Sequence, residues 1–154
     1  MIKSHRALYV SLLVGCALST GVNAAPDVAG MVKTSAGSVV IERAGKRIPA
    51  FVGTEVLVAD KLRTGENGAV GVTLADNTLL SAGPSSTLVI DKFMYDSTNQ
   101  TGGMSINVRK GTLAVATGKI AKKTPESIDF HTPTSVLGVR GTEFVVEVDG
   151  GSDD

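Results

Sequence analysis

The sequence predicts an all-β domain, and three observations carry that prediction. Apolar residues alternate with polar or small ones at a period of two, most cleanly at Val70, Val72 and Leu74 against Ala69, Gly71 and Thr73. Turn-forming residues punctuate these runs at short intervals. After Ala25 no stretch of a dozen residues places apolar side chains at i, i+3, i+4 and i+7, so long helices are not expected.

Taken in order, the chain begins with Lys3 and Arg6, then an apolar run from Ala7 to Gly21, then Val22 and Ala24 ahead of Ala25-Pro26. This is the order of a helical secretory signal peptide, residues 1–24, with a domain over 25–154. The run is 15 residues long and broken by Ser11, Ser19 and Thr20, short of the roughly 20 apolar residues that a membrane span needs. No membrane span is expected in the mature chain. A second reading uses Leu13-Val14-Gly15-Cys16 as a lipobox, in which Cys16 carries a lipid anchor and the protein is an outer-membrane lipoprotein.

The alternation recurs at Val39/Ile41, Leu88/Ile90, Met104/Ile106/Val108, Leu113/Val115, Ile128/Phe130 and Phe144/Val146/Val148, which predicts at least eight short strands. Turns are expected at Ala44-Gly45-Lys46, Glu66-Asn67-Gly68, Asp76-Asn77, Gly83-Pro84, Gly102-Gly103, Lys110-Gly111 and Asp149-Gly150. The polar stretch Met94–Gly102 is expected to be the longest exposed loop, and Lys119–Glu126 a solvated connector carrying Lys122 and Lys123. Aromatic residues are scarce, so Val, Leu and Ile must build the core. A sandwich, a barrel and a short solenoid all fit such a pattern.

Charge excludes one class of function. Removal of residues 1–24 takes Lys3 and Arg6 but no carboxylate, leaving 13 basic against 15 acidic residues, a formal charge of −2. No nucleic-acid partner is expected from that balance. The only cysteine, Cys16, lies within the signal, so a chain cleaved after Ala24 has no thiol and forms no disulfide.

The run Thr132-Pro133-Thr134-Ser135-Val136-Leu137-Gly138-Val139-Arg140-Gly141-Thr142-Glu143-Phe144 resembles the hallmark of FecR domains, T-P-x-x-x-x-G-V-R-G-T-E-F. Upstream, Ala59-Asp60-Lys61-Leu62-Arg63-Thr64-Gly65 is similar to the family's G-D-x-L-R-T-G segment, and the resemblance extends roughly from Gly37 to Val148. Ala59 stands where the family usually has glycine, and Asn77 where an Asp-Gly turn is common; asparagine tolerates positive φ. The resemblance implies a periplasmic β-solenoid or roll of many short strands, with the β-sandwich as its alternative. It also implies a domain that receives or relays signals through protein contacts. In FecR regulators a cytoplasmic tail acts on a sigma factor, whereas here only Met1–Arg6 precede the apolar run. The chain therefore reads as a periplasmic module without that tail.

Little in the sequence points to catalysis. His131 is the one histidine after the signal and alternates with Phe130, so it is expected to face outward. The acids Asp60, Asp76, Asp91 and Glu143 are scattered singly, and the terminal Asp149–Asp154 lacks the spacing of a calcium loop, so neither a metal nor another cofactor is expected. Gly65-Glu66-Asn67-Gly68 and Gly138-Val139-Arg140-Gly141 read as turns, since neither continues as a phosphate-binding loop. No carboxylate spacing suggests a glycosidase pair. The motif Arg140, Gly141, Thr142, Glu143 and Phe144 is the candidate structural or partner-contact site. Arg140, flanked by glycines, can hold a carboxylate through two bonds, with Glu143 or Glu147 as acceptor; buried pairing there would make Arg140→Ala lower the melting temperature. The expected function is binding to another envelope protein, not catalysis. The alternative is a passive structural or cell-surface component.

Overall fold

The computed structural model describes residues 27–150. The expected signal peptide, Cys16 and the last acidic residues lie outside the described residues. Among the described residues twelve strands run in the order β1 (Val28–Ala36), β2 (Val39–Arg43), β3 (Lys46–Pro49), β4 (Glu55–Leu57), β5 (Lys61–Thr64), β6 (Ala69–Leu74), β7 (Leu79–Ala82), β8 (Thr87–Asp96), β9 (Thr101–Ala116), β10 (Ile128–His131), β11 (Val136–Gly138) and β12 (Glu143–Val148). One short helix, α1 (Lys119–Lys123), and a 3₁₀ turn at Pro125–Ser127 link β9 to β10.

The period-two pattern becomes burial as expected. Val70, Val72 and Leu74 are buried on β6 while Ala69, Gly71 and Thr73 are not, and β2, β9 and β10 follow the same rule, whereas Thr87, Leu88, Val89 and Ile90 of β8 are buried in succession. These side chains meet in one core containing Ile41, Leu62, Leu80, Ile90, Ile106 and Leu113 around a fully buried Phe130. Truncating Phe130 would cost about 3–5 kcal/mol through lost contact and cavity. The β2–β3 turn is formed by Ala44 and Gly45, both at positive φ (49° and 76°), which suits the right-handed twist of the flanking strands.

The strands form a single curled sheet through β9, which spans 16 residues. Its first half pairs with β8 on one side and β10 on the other, giving the order β3-β2-β5-β8-β9-β10-β11. Its second half pairs with β7 and β12, giving β4-β1-β6-β7-β9-β12. The two halves meet at Gly111, where φ is +87° and a Cβ would collide with Ser86. Ser86 Oγ accepts the Thr112 amide there at 3.0 Å. Lys110-Gly111 is thus a bend within a strand, not the expected turn between strands.

Three further expectations are corrected. A solenoid stacks coils in parallel, but here the ladder between β9 and β10 is parallel and the others are antiparallel, so the all-β fold is a curled sheet. The two layers of a sandwich are likewise not separate, because β9 belongs to both halves. Met94–Gly102 is not a long loop: β8 and β9 stay paired out to Asp96 and Thr101, and Gly102-Gly103 lie within β9. The tight turn at its tip is held by Asp96, whose carboxylate accepts the Asn99 side-chain amide at 2.8 Å and the Thr98 amide at 2.8 Å. Those bonds keep the Asp96 carboxyl below the usual aspartate range.

Candidate functional site

The hallmark segment carries the chain from one half of the sheet to the other. Thr132 Oγ1 accepts the Ser135 amide at 3.0 Å and closes the turn into β11. After β11, Val139 is buried, Arg140, Gly141, Thr142 and Glu143 are exposed, and Phe144 is half-buried on β12. The Phe144 ring meets Phe130 edge-on, with centroids 4.9 Å apart and planes at 81°, the arrangement that aromatic quadrupoles favour. Thr117 closes the other flank by donating its hydroxyl to the Gly141 carbonyl at 2.9 Å and its amide to the Thr142 carbonyl at 2.8 Å. Two apolar pegs and two hydrogen bonds therefore hold an outward-facing loop.

Arg140 lies on that exposed loop and makes no ion pair with Glu143, Glu147 or another described residue. The expected buried pairing is not made. Instead Arg140, Gly141 and Thr142 line a depression of about 300 Å3 together with Ala121, Lys122 and Pro125. The structure thus joins Arg140 to the basic connector that sequence spacing kept apart. Immediately beside it, Glu143 and Val145 line a groove of about 380 Å3 with Leu79, Ser81, Ala114 and Ala116. Cross-strand registers explain its flat floor: Leu79 faces Ala116, which faces Glu143, and Ser81 faces Ala114, which faces Val145. Small side chains fill the middle of these rows, leaving Leu79 and Val145 exposed at 48% and 65%. His131 is half-buried on the side of β10 opposite Phe130.

Sequence reasoning missed the two polar anchors. Asp60, 1% exposed, receives Arg43 Nε on Oδ1 at 2.8 Å, and Arg43 Nη2 and the Leu57 amide on Oδ2 at 2.6 and 2.8 Å. Its hydrogen bond to Asp60 pushes the Arg43 guanidinium further up from its already high range. Asp76 is fully buried and accepts the Thr78 amide at 3.0 Å, the Thr78 hydroxyl at 2.8 Å and the Ile120 amide at 3.2 Å. It thereby fixes α1 to the β6–β7 turn. Gly118 precedes α1 because a Cβ there would strike the Asp76 carbonyl. The lone pairs of both aspartates are thus engaged in holding turns.

The sequence profile of the FecR protein family matches residues 60–154, more than half of the chain. The chain belongs to the FecR family. The match begins at Asp60, the buried anchor, and takes in both the Leu62-Arg63-Thr64-Gly65 segment and the exposed loop around Arg140. No curated protein and no solved structure matches the chain. FecR-family membership makes this a signalling-related domain of a generally envelope-associated family. No helix among its described residues is long and apolar enough to cross a membrane. The departures at Ala59 and Asn77 find a physical reading: both adopt positive φ, 73° and 70°, the region that glycine enters at least cost.

Proposed function

We propose that this FecR-family domain is a periplasmic binding module that receives or relays a signal by docking a protein partner, without catalysing a reaction. One observation carries the reading: residues of the family hallmark point outward, Arg140 into a cationic depression with Lys122 and Glu143 onto an apolar groove with Leu79 and Val145. A protein interface combines those elements, an apolar centre beside an arginine that can grip a carboxylate at the rim. The signal-peptide order of residues 1–24 supports export.

Photo-crosslinking in living cells tests the proposal. Photoreactive residues at Lys122 and Val145 are expected to capture the same envelope protein, and one at Asn99, on the hairpin tip, to miss it. Arg140→Ala should abolish capture while its melting temperature stays put, since an exposed, unpaired side chain contributes within about 0.5 kcal/mol. Only self-adducts or cell-wall material at both positions would favour the passive structural component instead.

A further inference from the structure

The outward face of the first half of the sheet differs in chemistry from the groove beside Val145. Glu42 on β2 faces Arg47 on β3 and Lys61 on β5 across the ladders. Its carboxylate is shared by three cations: Arg63 Nη1 at 3.2 Å, Lys61 Nζ at 3.5 Å and Arg47 Nε at 3.6 Å. Partial burial opposes ionisation of Glu42, but the Arg63 hydrogen bond and the charges of Lys61 and Arg63 hold its carboxyl below the usual glutamate range. Arg47 and Lys61 alone already outnumber this one carboxylate.

A fourth cation arrives through a break in the ladder. Thr87 pairs with Lys110 and Leu88 with Val108, so Arg109 is the extra residue of a β-bulge, a device that re-aims a side chain. Arg109 is exposed and has no ion-pair partner among the described residues. It lines one depression of about 470 Å3 with Arg47, Lys61 and Glu42, over a floor that includes Ala59 and Val89. That volume is on the scale of small-molecule sites, roughly 300–1,000 Å3.

We propose that this depression binds a multiply charged phosphate group, with Arg47, Lys61 and Arg109 as its ligands and the bulge at Arg109 as the feature that completes it. Guanidinium forks match phosphate oxygens in pairs, and lysine adds a point charge. A protein partner fits this face less well, because an interface needs an exposed apolar centre and the apolar floor residue Val89 is only 9% exposed. Leu79 and Val145, two of the exposed large apolar side chains, line the other groove. The site is independent of the docking surface at Arg140.

Nuclear magnetic resonance titration of the isotope-labelled protein with inorganic pyrophosphate at low ionic strength tests it. Amide shifts are expected to cluster at Arg47, Lys61, Val89 and Arg109 and to shrink as salt screens the charges. Arg109→Ala breaks no ion pair among the described residues, so it should fold normally and weaken binding about tenfold, the loss of one charge-assisted contact. Lys61→Glu should abolish the shifts, with its melting curve as the check on folding. Flotation with phosphatidylglycerol-containing vesicles, lost in the same variants, would locate the phosphate on a lipid; pyrophosphate binding without flotation would locate it on a soluble or glycan-borne group. Absent or scattered shifts at millimolar pyrophosphate would overturn the proposal, as would a polyglutamate peptide binding more tightly than pyrophosphate.

Discussion

Asp60 and Asp76 are both shut away from water, both sit next to a residue at positive φ, and both tie a turn to a distant segment. Their partners differ. Asp60 meets the Arg43 guanidinium through two bonds and one backbone amide. Asp76 meets no cation among its bonded partners, only the amide and hydroxyl of Thr78 and the amide of Ile120. The first corner is held by a charge pair, the second by aligned neutral donors. The contrast shows that a buried carboxylate needs enough donors aimed at it, from whichever group supplies them.

The largest expected effect follows from removing the member that leaves a charge behind. Asp60→Ala strands Arg43 and the Leu57 amide and should destabilise the domain by about 3 kcal/mol, near the low end for broken buried pairs because Arg43 is 31% exposed and can turn to water. Urea denaturation measures it, and the Arg43→Ala/Asp60→Ala double variant should cost clearly less than the two single changes added together. Asp76→Ala strands neutral groups only, so about 2 kcal/mol is expected. Hydrogen exchange should then quicken at Ile120 and Thr78 while the amides of β9 stay protected. Equal losses at the two aspartates would mean that the charge on Arg43 makes no difference.

The smallest effect sharpens the same comparison at the neighbouring positions. An alanine at positive φ costs about 1–2 kcal/mol, offset in part by the roughly 0.5–1 kcal/mol of extra chain entropy that glycine loses on folding. Ala59→Gly should therefore stabilise by about 0.5–1 kcal/mol, seen as a melting point higher by about 3 °C. Asn77→Gly should gain less, since asparagine already tolerates this conformation.

The inner half of this fold was legible in the sequence because one face of each strand is apolar. Val70, Val72 and Leu74 announce β6 by themselves, as Met104, Ile106 and Val108 announce the first half of β9. What stayed hidden has physical reasons. β1 is interrupted by irregular pairing near Gly30 and Thr34, which breaks its alternation. The sequence of β9 reads as two strands because Gly111 looks like a turn, and only its contact with Ser86 shows why the strand continues through it. The loop at Arg140 was found through its motif, yet its neighbour Lys122 and its lack of a carboxylate partner depend on how α1 folds against it. The pair of Arg43 and Asp60, 17 residues apart, follows no local period. Nor does the cationic depression, whose members come from β2, β3, β5 and β9.

The central place of β9 has a consequence for the order in which the protein can be assembled. Each half of this strand is flanked on one side by a segment made earlier, β8 or β7, and on the other by one made later, β10 or β12. A nascent chain that has reached Ala116 therefore exposes the unpaired edge of its longest strand until Val148 arrives. Such an open edge recruits other strands readily, and closure over long sequence separations is slow. Until β10 and β12 arrive, that edge of β9 is the part of the fold most open to mispairing.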